Sequence, residues 1–477
     1  MKKITIWTSV IAGFLVFSIA LGFCSDRTGI RKIAGVAVSE EEKGDLCIPP
    51  ESGKKSTVTL NFTYWGNFNE KRVIENVCNK FTKKYPHIIA EAVQIEGNYA
   101  AQMQLMASSG NLPDIGYMPV DLGEKWAAEG KFVNLFDMLA RDGEIKREDF
   151  LDYIWYKQSS GDAWGISSAG ECFGLYYNKV LLREACIDSL PSAAEDAMAW
   201  EEFVDTARRL TLDTSGRNAC DKNFDPEHIK QYGIMFDTNY SPSLNNFIFS
   251  NGGEWISKDG KNFNLNGPEG VEAIQKLADL INVHHVAPSP AEARALPGLT
   301  DAFEAGVAAM MVGGQWINTD LSSGKVSYDI GVLPRMEKSL TVGMSGATVL
   351  FGSSEHLEEA WLLLKMMSDP EACIEPYSSG LWMPLKKEWY TNPRLIEKWV
   401  DVNPAAHPQG FKDAMMRQLI NHGVPDASFY MKNQSRIIPP VMEALRPVWN
   451  GSKTAYDALK EVADKVQPAI KGRYDVE

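Results

Sequence analysis

The stretch GDAWGISSAGECFGLYYNK, from Gly161 to Lys179, decides how the rest of the chain is read. Two short apolar runs flank a Gly- and Ser-rich turn, which suits a pair of strands. One carboxylate, Glu171, stands just before the apolar run Phe173 to Asn178, where a strand entering a core seldom carries a charge. Such a charge either has a partner or sits on a solvated strand edge. These residues alone leave both readings open.

Outward from this stretch, strand and helix signals alternate. Thr57 to Phe62 alternates polar and apolar residues and predicts a first strand. From Glu70 to Tyr85, Val73, Ile74, Val77, Cys78 and Phe81 share one helical face, and the helix must stop before Pro86. Ile88 to Ile95 predicts a strand, Asn98 to Ser109 a helix, Asp114 to Met118 a short buried strand, and Leu122 to Glu129 a helix ended by Gly130. Downstream, helices are expected over 200–210, 270–283, 356–367 and 455–466, with strands over 232–236, 307–312 and 328–333. The helix expected over 437–449 is broken up by Pro439, Pro440 and Pro447. This order predicts an α/β protein with a mostly parallel sheet covered by helices on both faces. Ligands of such sheets bind at the loops beyond the carboxyl ends of the strands.

The first residues differ from the rest. Met1-Lys2-Lys3 precedes an apolar run from Ile4 to Phe23, with no charge until Asp26. This is the pattern of a secretory signal peptide or an uncleaved membrane anchor. Leu21-Gly22-Phe23-Cys24 resembles the box at which bacterial lipoproteins are cut and lipidated on cysteine, although Phe23 stands where a small residue is usual. In either case the body is expected outside the cytoplasmic membrane, with 1–23 as signal and 24–56 as a flexible, lipid-anchored tether. The 477 residues carry a net charge of −14. That balance excludes nucleic acid and anionic lipid as partners and argues against strongly acidic ligands. Seven cysteines without any CxxC give no zinc site. If Cys24 is lipidated, six remain for up to three disulfides, whose pairing the sequence leaves open.

Five further segments carry a resemblance. They are Phe62 to Gly66 (FTYWG); Ser109 to Ile115 (SGNLPDI) with Asp121, Trp126 and Gly130; Phe249 to Trp255 (FSNGGEW); Asp301 to Trp316; and Gly343 to Ala347 with the helix containing Trp361 and Asp369 to Ala372. In this order and spacing, over roughly 57–389, the chain resembles the family 1 extracellular solute-binding proteins of bacterial ABC importers. The likeness is to their sugar- and oligosaccharide-binding, maltose-binding-protein-like branch. The resemblance implies a two-lobed periplasmic-binding-protein fold of the class II type, with a ligand cleft between lobes joined by strand crossovers. It puts one crossover within Gly161–Lys179 and turns the acidic residue at Glu171 toward the ligand. Lobe one would span 57–170 plus 333–372, and lobe two 174–328 plus 376–477. The implied partners are a carbohydrate and the transmembrane permease subunits, with membrane contact only through the N-terminal anchor, no cofactor or metal, and a monomeric body.

A neutral sugar needs flat apolar rings against its C–H faces and polar groups around its hydroxyl rim. Thirteen tryptophans suit that demand. Trp316, after a buried strand and a Gly-Gly turn, and Trp65 are the stacking candidates; the alternative for each is lobe packing. Asp121 and Glu171 are the hydrogen-bonding carboxylates, against helix N-cap or solvated-loop roles. By resemblance Tyr240, Asn245 and Asn246 would contact ligand from lobe two. Trp255 and Trp382 are cleft or core, Tyr99 and Gln102 are weaker candidates, and Ser345-Gly346 forms a tight turn where backbone could approach a ligand. Near Ile438, where some relatives carry an aromatic, this chain has Ile and Pro, which puts a maltose-type subsite there in doubt. No HExxH, GxSxG or paired-histidine zinc pattern occurs, so catalysis is not indicated. Other readings remain: the same fold with a polyamine, glycerol phosphodiester, peptide or iron complex; a sensor partner for a membrane kinase; and a glycan-processing enzyme using paired carboxylates.

Overall fold

A computed structural model describes residues 56–475. The signal and tether expected from the sequence, with Cys24 and Cys47, fall on residues 1–55, outside the described residues. Thirteen strands are numbered in chain order, and they form two large sheets and one small one. The first sheet has the order β2-β1-β3-β12-β5-β4: β1 is Val58–Tyr64, β2 Ile88–Gln94, β3 Ile115–Met118, β4 Trp155–Ser159, β5 Asp162–Ser167 and β12 Ala347–Leu350. The second has the order β10-β6-β9-β8-β7: β6 is Phe173–Asn178, β7 Leu212–Asp213, β8 Ile229–Met235, β9 Ala308–Gly314 and β10 Tyr328–Gly331. Between them, β11 (Thr341–Gly343) pairs with β13 (Gly423–Pro425).

Local sequence explains these elements. In β1, Leu60, Phe62 and Tyr64 are fully buried, and helix α1 (Phe68–Lys84) packs Val73, Ile74, Val77, Cys78 and Phe81 beneath the sheet. Asn67 caps α1, its Oδ1 accepting from the backbone N–H groups of Asn69 and Glu70. Helices α2 (Tyr99–Ser108) and α3 (Val120–Ala128) follow β2 and β3. The expected helices over Trp200–Leu210 and Ala455–Val466 are present with those bounds. Ile438–Trp449 is a single helix despite its prolines. Pro439 and Pro440 fall in its first turn, where no intrahelical N–H is missed.

The sheets are mixed rather than mostly parallel. β1 pairs in parallel with β2 and β3, and β8 with β9. β12, however, returns antiparallel to β3 and β5, and β6 runs antiparallel to β9 and β10. The reversals occur where the chain re-enters a sheet from the other core. The chain changes sheet between β5 and β6 and again between β10 and β12, and Leu419 and Ala427, either side of β13, lie in different buried clusters. These passages run side by side. Met344 N donates to Glu171 O at 3.1 Å, and Asp426 N to Gly343 O at 3.1 Å. β5 and β6 therefore do not pair with each other; each belongs to a different sheet.

The stretch from Tyr377 to Leu419 packs against both sheets. Tyr377, Trp389, Trp399, Met415 and Leu419 lie in the first buried cluster, which runs on to Tyr328 and Ile330 of β10. This stretch bridges the two sheets. Its short helical turns present no long apolar face that would have revealed where it docks. From Ala427 to Val466 the chain packs with the second cluster. Cys78, Cys172, Cys186, Cys220 and Cys373 are free, the first two and Cys373 being buried.

Candidate functional site

Strand register brings loops from both sheets to one place. Ala347, at the start of β12, lies between Met118 at the end of β3 and Ser167 at the end of β5. Pro119–Asp121, Ser168 and Ser345–Gly346 therefore share one edge of the first sheet. In the second sheet, Phe173 at the start of β6 faces Gly314 at the end of β9. That places Glu171 beside the turn carrying Trp316. Tyr240, after β8, completes the edge. Between the two edges lies a cavity of about 800 Å³.

Aromatic side chains line it from both sides. Trp65 stands edge-on to Tyr99 at 5.0 Å and tilted to Tyr117 at 4.8 Å. Trp316 stands edge-on to Phe173 at 5.6 Å and to Tyr240 at 6.4 Å. Each tryptophan lies directly over a glycine. A Cβ on Gly346 would come within 2.5 Å of Trp65 Cζ2, and one on Gly314 within 2.0 Å of Trp316 Cη2. These two glycines are required by close approach, because any larger residue would push the ring into the cavity.

Seven of the expected site residues line the cavity: Trp65, Asp121, Glu171, Tyr240, Trp316, Gly346 and Trp382. Tyr99 and Ser345 also line it, although the Tyr99 hydroxyl donates to Tyr117 O at 2.8 Å. Trp382 is nearly buried and edge-on to Tyr377 at 6.0 Å. Asp121 falls in the first turn of α3, but the cap position is Pro119. Asn245 and Trp255 lie behind the wall. Asn245 is fully buried; its Nδ2 donates to Asp426 Oδ1 at 2.7 Å, and its Oδ1 accepts from Trp255 Nε1 at 2.7 Å. Asp426 does reach the cavity, so the two hold a wall residue in place. Asn246 donates to Pro242 O at 2.9 Å and accepts from Val342 N at 2.8 Å, which consumes its amide inside the core. Gln102 is exposed on α2, away from the lining. Ile438 and Pro439 line the far end, where the expected aromatic is missing.

Several lining residues were not anticipated: Glu70, Tyr117, Asp320 and Asp426. Loss of water pushes the Glu70 carboxyl up to about 7, with the nearby Tyr117 hydroxyl opposing the rise and Asp320 adding to it. Glu171 is pushed up to about 8, first by burial and then by the negative field of Glu70, with Ser345 opposing. Asp320 joins the two sides at the rim. Its carboxylate accepts from Asn67 Nδ2 at 2.9 Å and from Asn69 Nδ2 at 2.8 Å. Asn67 thus caps α1 and latches the cleft with the two ends of one amide. Among the described residues, no group of three or more His, Cys, Asp or Glu is placed to hold a metal ion.

Residues 65–372 match the family model described as bacterial extracellular solute-binding protein. The chain belongs to that family. Membership makes it a binder of solutes rather than an enzyme, with a body that works outside the cytoplasm. A putative binding protein of Brucella abortus (strain 2308) is 20% identical to this solute-binding protein over 328 residues, 65% of this chain and 69% of the relative. Among solved structures, an ABC substrate-binding protein of Listeria monocytogenes in complex with cycloalternan matches with TM-score 0.74 and 19% identity, over 87% of this chain and 99% of the other. The sugar-binding protein MalE of Xanthomonas citri matches with TM-score 0.66 and 17% identity, over 87% and 97%. At such identities the likeness establishes the two-sheet periplasmic-binding-protein fold.

Proposed function

We propose that this solute-binding protein captures a carbohydrate in the cleft between its two sheets and hands it to the transmembrane subunits of an ABC importer. One observation carries the reading. Trp65 and Trp316 stand on opposite sides of a cavity of about 800 Å³, each set by a glycine, with polar groups around them. Indole faces cover the C–H faces of a sugar ring, while Asp121, Glu171 and the backbone at Gly346 take its hydroxyls. Tyr240 and Trp382 extend the apolar lining, and Asn245 with Trp255 holds Asp426 in position. The volume suits a ligand of several rings. Structural relatives bound to cycloalternan and maltotriose support a carbohydrate of that size.

Binding works by stabilising the state in which the Asn67–Asp320 latch is made, and the closed form docks on the permease. No cofactor takes part. The body acts as a monomer held at the outer face of the cytoplasmic membrane by a lipid on Cys24.

A thermal-shift and calorimetric screen of residues 56–477 against a carbohydrate library tests the reading. Ligand at 100 times its Kd stabilises the fold by about 2.7 kcal/mol. The hit should weaken by roughly ten- to a hundred-fold in Trp316→Ala, from loss of about 1–3 kcal/mol of stacking. A protein stripped of ligand that responds to no carbohydrate would refute it.

A further inference from the structure

The charge around this cavity is one-sided. Glu70, Asp121, Glu171, Asp320 and Asp426 line it, and no Lys, Arg or His does. Among the described residues none of the five forms an ion pair with Lys or Arg. Asp320 and Asp426 are held by amide donors, which orient them without neutralising them. The five are spread around the cavity rather than gathered as a metal site.

A second, independent feature points the same way. Tyr117 is 2% exposed, lines the cavity, and its hydroxyl approaches Glu70 without forming a hydrogen bond of good geometry to any group. A buried hydroxyl left without a well-made partner is destabilising, and Tyr117 stands in the cavity wall. Burial, and then the negative field of Glu70 and Glu171, hold its proton firmly. A neutral polyol can hydrogen-bond Tyr117 but does nothing for the mutual repulsion of Glu70 and Glu171, which together with burial keeps protons on them in the empty cavity. A cation answers both needs, and the surrounding indole and phenol faces attract cations as well.

We propose that the captured carbohydrate bears a protonated amine, held between Glu70 and Glu171 beside Tyr117. The inference rests on the carbohydrate reading above and names the substrate class within it. The ammonium donates to both carboxylates, while the sugar ring stacks on tryptophan. Seating a cation there favours the ionised carboxylates. Binding therefore releases protons from the Glu70–Glu171 pair, whose surroundings (Asp320 beside Glu70, and Tyr156 and Tyr240 beside Glu171) contribute no positive charge.

The experiment is titration calorimetry at pH 6.5 in two buffers of different ionisation enthalpy. Glucosamine oligomers and 6-amino-6-deoxymaltose are compared with their neutral counterparts, cello-oligomers and maltose, and with spermidine. An amine-bearing sugar should bind at least about tenfold more tightly than its neutral counterpart and release protons. Glu171→Gln should collapse the ratio of amine-bearing to neutral sugar affinity towards one and abolish the proton release, whatever it does to the affinity for either sugar alone. Neutral sugars binding as tightly as their amines, without proton release, would overturn the amine and leave the carbohydrate reading standing. Spermidine binding with no response to any sugar would overturn the carbohydrate reading itself.

Discussion

Replacing Glu171 by Gln should stabilise the ligand-free protein, and only at neutral to alkaline pH. The native carboxyl is pushed from 4.5 to about 8, so between those values the folded protein holds a proton that the unfolded chain has released. Stability therefore falls as pH rises through that window, because the unfolded state binds fewer protons. At about 1.4 kcal/mol for each tenfold change, a rise of this size corresponds to about 5 kcal/mol. Part of it is repulsion from Glu70, which belongs to the pair and is counted once. Removing one carboxyl should then recover about 3 kcal/mol at pH 8.5 and less than about 1 kcal/mol at pH 5. Gln keeps the shape and can still hydrogen-bond Ser345. Urea unfolding followed by tryptophan fluorescence, at several pH values from 5 to 8.5, reads the difference directly. A gap between mutant and wild type that is flat with pH, or largest at pH 5, would refute the placement of Glu171 against Glu70. A saturating amine-bearing ligand should abolish the gap by occupying the same negative field.

Two further perturbations test other parts of the structure. Gly346→Ala puts a Cβ within 2.5 Å of Trp65, a rigid ring that must swing into the cavity; ligand affinity should fall about tenfold or more with the fold retained, and an unchanged Kd would show that Trp65 does not touch the ligand. His407 lies buried against Trp399 and Phe411 with its pKa pushed down from 6.5 to about 4, chiefly by burial. The unfolded chain then binds the extra proton, so stability should drop by about 3 kcal/mol as pH falls from 6.5 to 4; in His407→Leu that acid slope should flatten, and an unchanged slope would place the acid sensitivity elsewhere.

Much of the fold was legible because its elements obey local rules. The helix from Trp200 to Leu210 and the strand at Ala308–Gly314 declare themselves by periodicity and apolar run length. The cleft was legible by another route: ordered short segments around Trp65, Asp121, Glu171 and Trp316 resembled a family, and these residues line one cavity. What escaped depended on distant pairing. Tyr117 is one letter of a four-residue buried strand, and only the return of β12 beside β3 makes it part of a cavity wall. Glu70 looked like the first turn of an amphipathic helix, where an acid is ordinary.

Asn245 and Asp426 show the same limit from both sides. Asn245 sits near a helix start on a segment expected to face ligand, yet its amide spans two buried partners, Trp255 and Asp426. Asp426 lies just after a three-residue strand, 181 positions along the chain from Asn245, with no periodicity to mark it. Charge count made the chain acidic, but composition does not say where acids go. Only folding gathers five of them around one cavity with no base opposite. That asymmetry belongs to the arrangement and to no single motif. On the proposed reading, the chemical class of the ligand is set less by the aromatic rings, which would receive any sugar, than by carboxylates from both sides of the cavity. Neutralising Asp320 alone should loosen the rim latch at Asn67 and Asn69, whereas neutralising Glu171 should change which sugars are admitted.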